Sequence, residues 1–324
     1  MRVLVIGYGS IGSKHVKVLK NLGCRVAVVS QYDIDYGIKY EHIDRAINTE
    51  KPDYIVIANK TCDHSQTLIY IAELGFQGIV LVEKPLFNSL KEPPPNNFQA
   101  IFVAYNLRFH PVMQRLYNLL KNEKILFAQA YCGQYLPLWR PQSDYRLSYS
   151  ASKAAGGGVL RDLSHELDYL NWILSGWQKL TALGGHFSHL QIDSDDIFSI
   201  LFEMSRCPVA AVHINYLDRV TRREILVNTD NCTIIADLAN SILEINGTRD
   251  YFETDENITY RLQHQAILNG DFSCLCSIEE GLAIIEMIEA IEQSVAEKEW
   301  ITNDKALHHM RQGRVERNYE QKHP

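Results

Sequence analysis

The 324-residue chain has no dense run of lysine or arginine; 32 basic side chains face 39 acidic ones, a formal charge of -7. A nucleic-acid phosphate backbone needs a basic track, so no nucleic-acid partner is expected. No apolar stretch approaches the ~20 residues that cross a bilayer. The N-terminus enters a strand without a charged leader and cleavage site, so a cytoplasmic protein with no membrane partner is expected. Cysteine is sparse and scattered: Cys24, Cys62, Cys132, Cys207, Cys232, Cys274 and Cys276, an odd number that points to reduced thiols. Cys274-x-Cys276 lacks the two-residue gap and the second ligand pair of a zinc site, so no metal is expected. Asp193, Asp195 and Asp196 lack the glycine and distal glutamate of a calcium loop and read as a solvated turn. Internal repeats and low-complexity blocks are also missing.

What is present begins at the first residues. Val3, Leu4, Val5 and Ile6 make a β-branched strand that runs into Gly7-Tyr8-Gly9-Ser10-Ile11-Gly12 and then a helix. That order is a dinucleotide-binding turn. Gly7 permits the turn, Gly9 lets backbone approach a pyrophosphate, and Gly12 lets the helix pack on the strand. Free N–H groups and the helix dipole then face the phosphates. Ile11, His15, Val18 and Leu22 give the helix an inner stripe, ended by Gly23.

Length alone suggests two packed units. Further apolar runs at 25–30, 54–59, 79–83 and 100–105 fit buried parallel strands, and helical stretches at 42–51 and 65–74 alternate with them. The fold class is therefore α/β: a doubly wound parallel Rossmann sheet over 1–105, followed by an α/β domain over 106–303 with a large, mainly antiparallel open sheet. Pro93, Pro94 and Pro95 leave little room for a crossover helix between 84 and 99. The second domain reads as a helix at 111–121, a strand at 124–135, a polar aromatic loop to 155 and a long helix at 159–175. Strands follow at 180–192, 197–204, 210–217, 223–228, 232–237 and 241–246, then a helix at 279–297. The polar tail at 304–324 is expected to be mobile.

Three groups of residues can carry chemistry. Glu83-Lys84-Pro85 closes a strand at the carboxyl edge of the sheet, where ligands of open α/β folds bind. A lysine there can orient a substrate hydroxyl, although a strand-end lysine in solvent is an equal alternative; Pro85 can fix the backbone through a cis bond. After Gly156-Gly157-Gly158, Leu160, Leu163, Leu167, Leu170 and Leu174 form a buried stripe, while Asp162 and His165 share another face. Histidine can accept a hydroxyl proton as hydride leaves the same carbon, with a carboxylate to orient its ring. A helical surface pair is the plainer alternative. Trp139, Arg140, Tyr145 and Arg146 lie in one aromatic loop and suit an anionic, ring-bearing ligand, or else pack an interface.

Taken together, the chain resembles the Gfo/Idh/MocA family of NAD(P)-dependent sugar and cyclitol oxidoreductases. The likeness extends to about Thr302. It is carried by Gly7-x-Gly9-x-x-Gly12, Ala58-Asn59-x-x-x-x-His64, Glu83-Lys84-Pro85, Asn106-x-Arg108-Phe109-x-Pro111, the glycine triplet with Asp162 and His165, and Thr233-Ile234-Ile235-Ala236-Asp237. The resemblance implies catalysis by Lys84, Asp162 and His165, with Glu83, Asn59 and His64 near the nicotinamide half of the cofactor. It also implies a homodimer or homotetramer through the C-terminal sheet. In most members the Asp and His stand four apart; here they stand three apart, which ranks His165 ahead of Asp162. Ser30 occupies the strand end where NAD-specific relatives place an acid, no arginine follows, and Asp33 and Asp35 come next, so NAD and NADP both stay open.

The segment Tyr105-Asn106-Leu107-Arg108-Phe109-His110-Pro111, with Trp139-Arg140-Pro141 and Asp144-Tyr145-Arg146, resembles a subgroup associated with bacterial surface-polysaccharide and nonulosonic sugar synthesis. That implies an acidic or nucleotide-linked sugar gripped by Arg140, Arg146 and Arg108. The expected function is hydride transfer between nicotinamide and a hydroxyl or ketone carbon of a sugar derivative. A non-catalytic NAD(P)-binding sensor of the same fold is the alternative.

Overall fold

The computed structural model describes residues 1–303; the tail expected at 304–324 lies outside them. The chain divides into two compact units, one of residues 1–114, 154–156 and 252–286, the other of 115–153, 157–251 and 287 onward. Where the sequence suggested a single cut after 105, the late stretch 252–286 returns to the first unit.

The first unit is built on β1 (Arg2–Ile6), β2 (Arg25–Val29), β3 (Lys39–Tyr40), β4 (Tyr54–Ile57), β5 (Ile79–Val82) and β6 (Ala100–Val103). They pair in parallel in the order β3-β2-β1-β4-β5-β6, and the short strand Cys276–Ser277 adds antiparallel beside β6. This is the doubly wound dinucleotide order, with its switch point between β1 and β4. Strands β1, β4 and β5 read as unbroken apolar runs because helices cover both faces; all of Tyr54, Ile55, Val56 and Ile57 are buried. Helices α1 (Ser10–Asn21), α2 (Ile43–Glu50) and α3 (His64–Glu73) supply crossovers. Val16 and Leu19 of α1 pack with Val3, Val5, Val26, Val28, Val56 and Leu81 in the core. No helix joins β5 to β6, as the prolines indicated; Leu86 and Phe87 bury in that link instead.

The second unit holds β7 (Ile125–Gly133), β8 (Trp177–Gly185), β9 (Ile197–Met204), β10 (Cys207–Asn215), β11 (Arg222–Thr229), β12 (Thr233–Asp237), β13 (Ile242–Ile245) and β14 (Thr248–Tyr251). They form one sheet in the order β14-β13-β12-β11-β7-β10-β9-β8, closed by the short strand Ile301–Thr302. All pairs are antiparallel except β7 with β10. Strand β9 alternates strictly between buried and exposed, so one face of the sheet is covered and the other open. Asn246 and Gly247, both at positive φ, make the tight turn into β14, a strand beyond those expected.

The helix expected at 159–175 is two pieces, Val159–Asp162 and His165–Ile173, separated at Leu163, which sits at φ -98, ψ 31. Among the described residues no helix is long and apolar enough to cross a membrane.

Candidate active site

At the end of β1 the glycine loop is tight where it should be and open where a ligand would come. Gly7 lies at φ +101, and a Cβ on it would stand 2.5 Å from the Ala58 carbonyl oxygen. A Cβ on Gly12 would stand 2.1 Å from the Gly7 carbonyl oxygen, yet one on Gly9 would meet nothing within 4 Å. The N-cap of α1 is Gly9, which brings no side chain over the start of the helix, where N–H groups and the helix dipole suit an anion. This cradle fits a dinucleotide pyrophosphate, with Tyr8, Ser10 and Ile11 completing the loop. Ser30, one residue past β2, is buried and accepts the Tyr32 N–H at 3.1 Å, while Gln31, Asp33 and Asp35 are exposed.

The turn after β5 is held from two sides. Glu83 Oε2 accepts the Lys84 N–H at 3.1 Å, and the Lys84–Pro85 peptide is cis. His64 Nδ1 faces the carbonyl oxygens of Pro85 and Leu86 at 3.2 and 3.1 Å, and its Nε2 faces that of Asn59 at 3.3 Å. Burial lowers the His64 pKa and keeps the ring neutral. His64, expected against the cofactor, is therefore a buried clamp on the Lys84 turn. The Asn59 amide donates to Thr67 Oγ1 at 2.8 Å, while its buried Oδ1 has no partner among the described residues.

Glu83 Oε1 lies 2.7 Å from His15 Nε2, His15 Nδ1 lies 2.8 Å from His264 Nε2, and His264 Nδ1 lies 3.0 Å from the Tyr54 hydroxyl. The sequence placed His15 on the packed stripe of α1 and gave no sign of His264, 249 residues away. Helix Ile258–Asn269 brings it there.

In the second unit the glycine triplet serves packing. A Cβ on Gly157 would meet the Tyr149 carbonyl oxygen at 2.1 Å, and Gly158, at φ +117, lies against the Asp195 carboxylate. Asp195 is no solvated turn residue: Oδ2 accepts the Leu160 N–H at 3.0 Å and its carbonyl accepts that of Val159, capping the first short helix. Asp196, fully buried, accepts the N–H groups of Phe187 and Ser188.

Asp162 ends the first short helix and His165 opens the second, so they are not neighbours on one continuous helix face. The Tyr216 hydroxyl donates to Asp162 Oδ2 at 2.7 Å. Burial next to Asp162 raises the phenol well above its ordinary pKa of 10, so it stays a donor. The helix that opens at His165 is anchored by the next residue: buried Glu166 receives Arg223 Nε at 2.8 Å and the Tyr169 hydroxyl at 3.3 Å.

The expected substrate residues separate. Arg108 is 2% exposed, and its Nη1 pairs with Glu280 at 3.0 and 3.1 Å, so it is a core cation of the first unit and not a substrate grip. Arg146 is held in its own turn by Asp144, Nη2 to Oδ2 2.6 Å, and by Gln191. Tyr145 accepts the Gln191 N–H. Trp139 and Tyr216 meet in a T-shaped contact, centroids 5.2 Å apart, and Arg140 is exposed. Among the described residues no cluster of three or more His, Cys, Asp or Glu side chains could hold a metal.

Residues 1–93 match the model of the Gfo/Idh/MocA oxidoreductase family, NAD-binding Rossmann fold. The match falls on the parallel Rossmann sheet described above. No curated protein matches the sequence. Solved structures match nearly the whole chain. GenD2 from gentamicin A biosynthesis, in complex with NAD, has a TM-score of 0.76 at 19% identity, covering 94% of this chain and 96% of that one. Levoglucosan dehydrogenase in complex with NADH has a TM-score of 0.80 at 15% identity, covering 93% and 98%. The WlbA dehydrogenase from Bordetella pertussis, in complex with NADH and UDP-GlcNAcA, has a TM-score of 0.74 at 16% identity, again covering 93% and 98%. At such identities the likeness is one of fold.

Proposed function

We propose that this chain is an NAD-dependent oxidoreductase acting on a hydroxyl or ketone carbon of a sugar derivative. The observation that carries this is the glycine cradle at the β1 switch point, open at Gly9, two strands from a doubly clamped lysine turn. Bound NAD supplies the hydride acceptor or donor. The Lys84 ammonium holds the substrate oxygen, and His165 takes the hydroxyl proton in oxidation and returns it in reduction. Asp162, aligned by Tyr216, stabilises the charged imidazole. Trp139 and Arg140 contact the substrate. The UDP-GlcNAcA and levoglucosan in the matched structures' names support a sugar, and exposed Arg140 favours an anionic or nucleotide-linked one of surface-polysaccharide type. A second copy of the chain covers the open sheet face, where Leu183, Leu201 and Val209 are exposed.

Lys84→Ala and His165→Ala each lower turnover by about 10²–10⁴-fold while NADH affinity stays within about threefold of wild type. Wild-type turnover in both variants overturns the assignment.

A further inference from the structure

We propose that Tyr54, His264 and His15 form a one-way hydrogen-bond relay that presents an N–H to Glu83 and thereby fixes the turn carrying Lys84; the three are positioning residues for Lys84.

The direction follows from counting protons. Tyr54 is fully buried, and among the described residues its hydroxyl has one partner, His264 Nδ1. A buried hydroxyl proton without an acceptor is costly, so the phenol donates and Nδ1 is bare. Burial lowers the His264 pKa well below 6.5, so the ring is neutral and its one proton sits on Nε2. That proton points at His15 Nδ1, 2.8 Å away, which must then be an acceptor. The His15 proton is therefore on Nε2 and donates to Glu83 Oε1. Each of the three contacts receives one proton, and no other arrangement of neutral rings satisfies Tyr54.

The relay ends inside the protein. Tyr54, His15 and His264 are all 0% exposed, so the chain has no mouth through which to pass protons to water. Its effect is on Glu83, whose other oxygen receives the Lys84 N–H. A carboxylate held at both oxygens cannot rotate, and the residue that follows it is fixed in turn. Other titratable groups face this chain. His64 and Tyr260 lie near Glu83, Cys24 lies near Tyr54, and the rings of Tyr260 and His15 meet in a T-shaped contact with Lys14 over the Tyr260 ring. None of these supplies a hydrogen bond to Glu83 Oε1 in place of His15.

That Lys84 is the group served rests on the function proposed above; the proton arrangement does not. Nitrogen NMR of ¹⁵N-histidine-labelled protein at neutral pH tests the arrangement, with His15→Gln and His264→Gln used to assign the two rings. Both rings showing bare Nδ1 and protonated Nε2 is the expected result. A protonated Nδ1 on His15, or a doubly protonated His264, overturns the relay even if no turnover is ever found. The positioning role is read from a pair of variants. His15→Gln keeps an N–H within reach of Glu83 and retains kcat within about threefold. His15→Leu leaves a buried carboxylate without its donor, lowers kcat about 10–100-fold with little change in KM, and adds an ionisation to the kcat pH profile. If both variants share one kcat and differ from wild type only in thermal stability, His15 is merely structural and the role is overturned. Should His15→Leu not fold, a His15→Gln enzyme with wild-type kcat and pH profile supports the role, and loss of kcat in it overturns the role.

Discussion

The Tyr216 hydroxyl donates to Asp162 Oδ2 at 2.7 Å, and Trp139 packs against the same ring in a T-shaped contact at an interplanar angle of 90°. A phenol raised well above its usual pKa stays protonated across the working pH range, so Asp162 keeps this donor in every turnover. Tyr216→Phe preserves the ring against Trp139 and removes only the donor. Asp162 is half-buried, and the lost hydrogen bond to its carboxylate costs about 1–3 kcal/mol; kcat falls about tenfold and the unfolding midpoint drops by a few degrees. Steady-state kinetics beside a thermal melt check this, and unchanged kcat removes Asp162 from the proposed machinery.

Gly9 and Gly12 separate folding from binding within one loop. Gly9 has φ -77 and open space before it, so Gly9→Ala is tolerated by the fold, and its methyl stands where a phosphate would approach. The variant keeps the wild-type melting midpoint and loses at least about tenfold in NADH affinity. Gly12→Ala drives a Cβ onto the Gly7 carbonyl at 2.1 Å, and stability falls by roughly 2 kcal/mol or more. Equal NADH affinity in Gly9→Ala and wild type contradicts the cradle.

The buried histidines set a pH dependence of stability. His64 and His264 both have pKa values lowered by burial. The unfolded chain, with ordinary imidazoles near pH 6.5, binds protons that the folded chain refuses. Stability is therefore full above that pH and falls as the pH drops through it, by about 1.4 kcal/mol per unit for each histidine. Urea unfolding between pH 7.5 and 5.5 measures the slope, above the range where the lowered carboxyls of Glu50 and Asp53 titrate. His264→Gln removes its own share of the slope and leaves the shares of His64 and of His213, whose pKa burial also lowers; a flat wild-type profile contradicts the neutral buried rings.

The parallel sheet was legible because its strands are buried on both faces, which leaves Val3 to Ile6 and the runs at 54–57 and 79–82 without polar interruption. β3 was not, since a two-residue strand has no periodicity to detect. Helix Ile258–Asn269 escaped for a different reason: its inner face buries Thr259, Gln263 and His264 beside Ile267, so the apolar stripe that marks a helix is absent. The same polar burial supplied the far end of the Glu83 chain. The leucine stripe from 160 to 174 hid the break at Leu163, because both halves bury their leucines while Asp162 anchors to Tyr216, just past β10, and Glu166 to Arg223 of β11. Arg108 and Arg146 looked free for substrate because the partners that claim Arg108 and part of Arg146, Glu280 and Gln191, are remote in sequence.

The most direct measurement is a fluorescence titration of the purified protein with NADH and, separately, NADPH, followed by a panel of nucleotide sugars and sugar acids. Saturable NADH binding, stronger than that of NADPH and perturbed by one class of sugar, is the predicted result. No binding of either dinucleotide contradicts the account at its base.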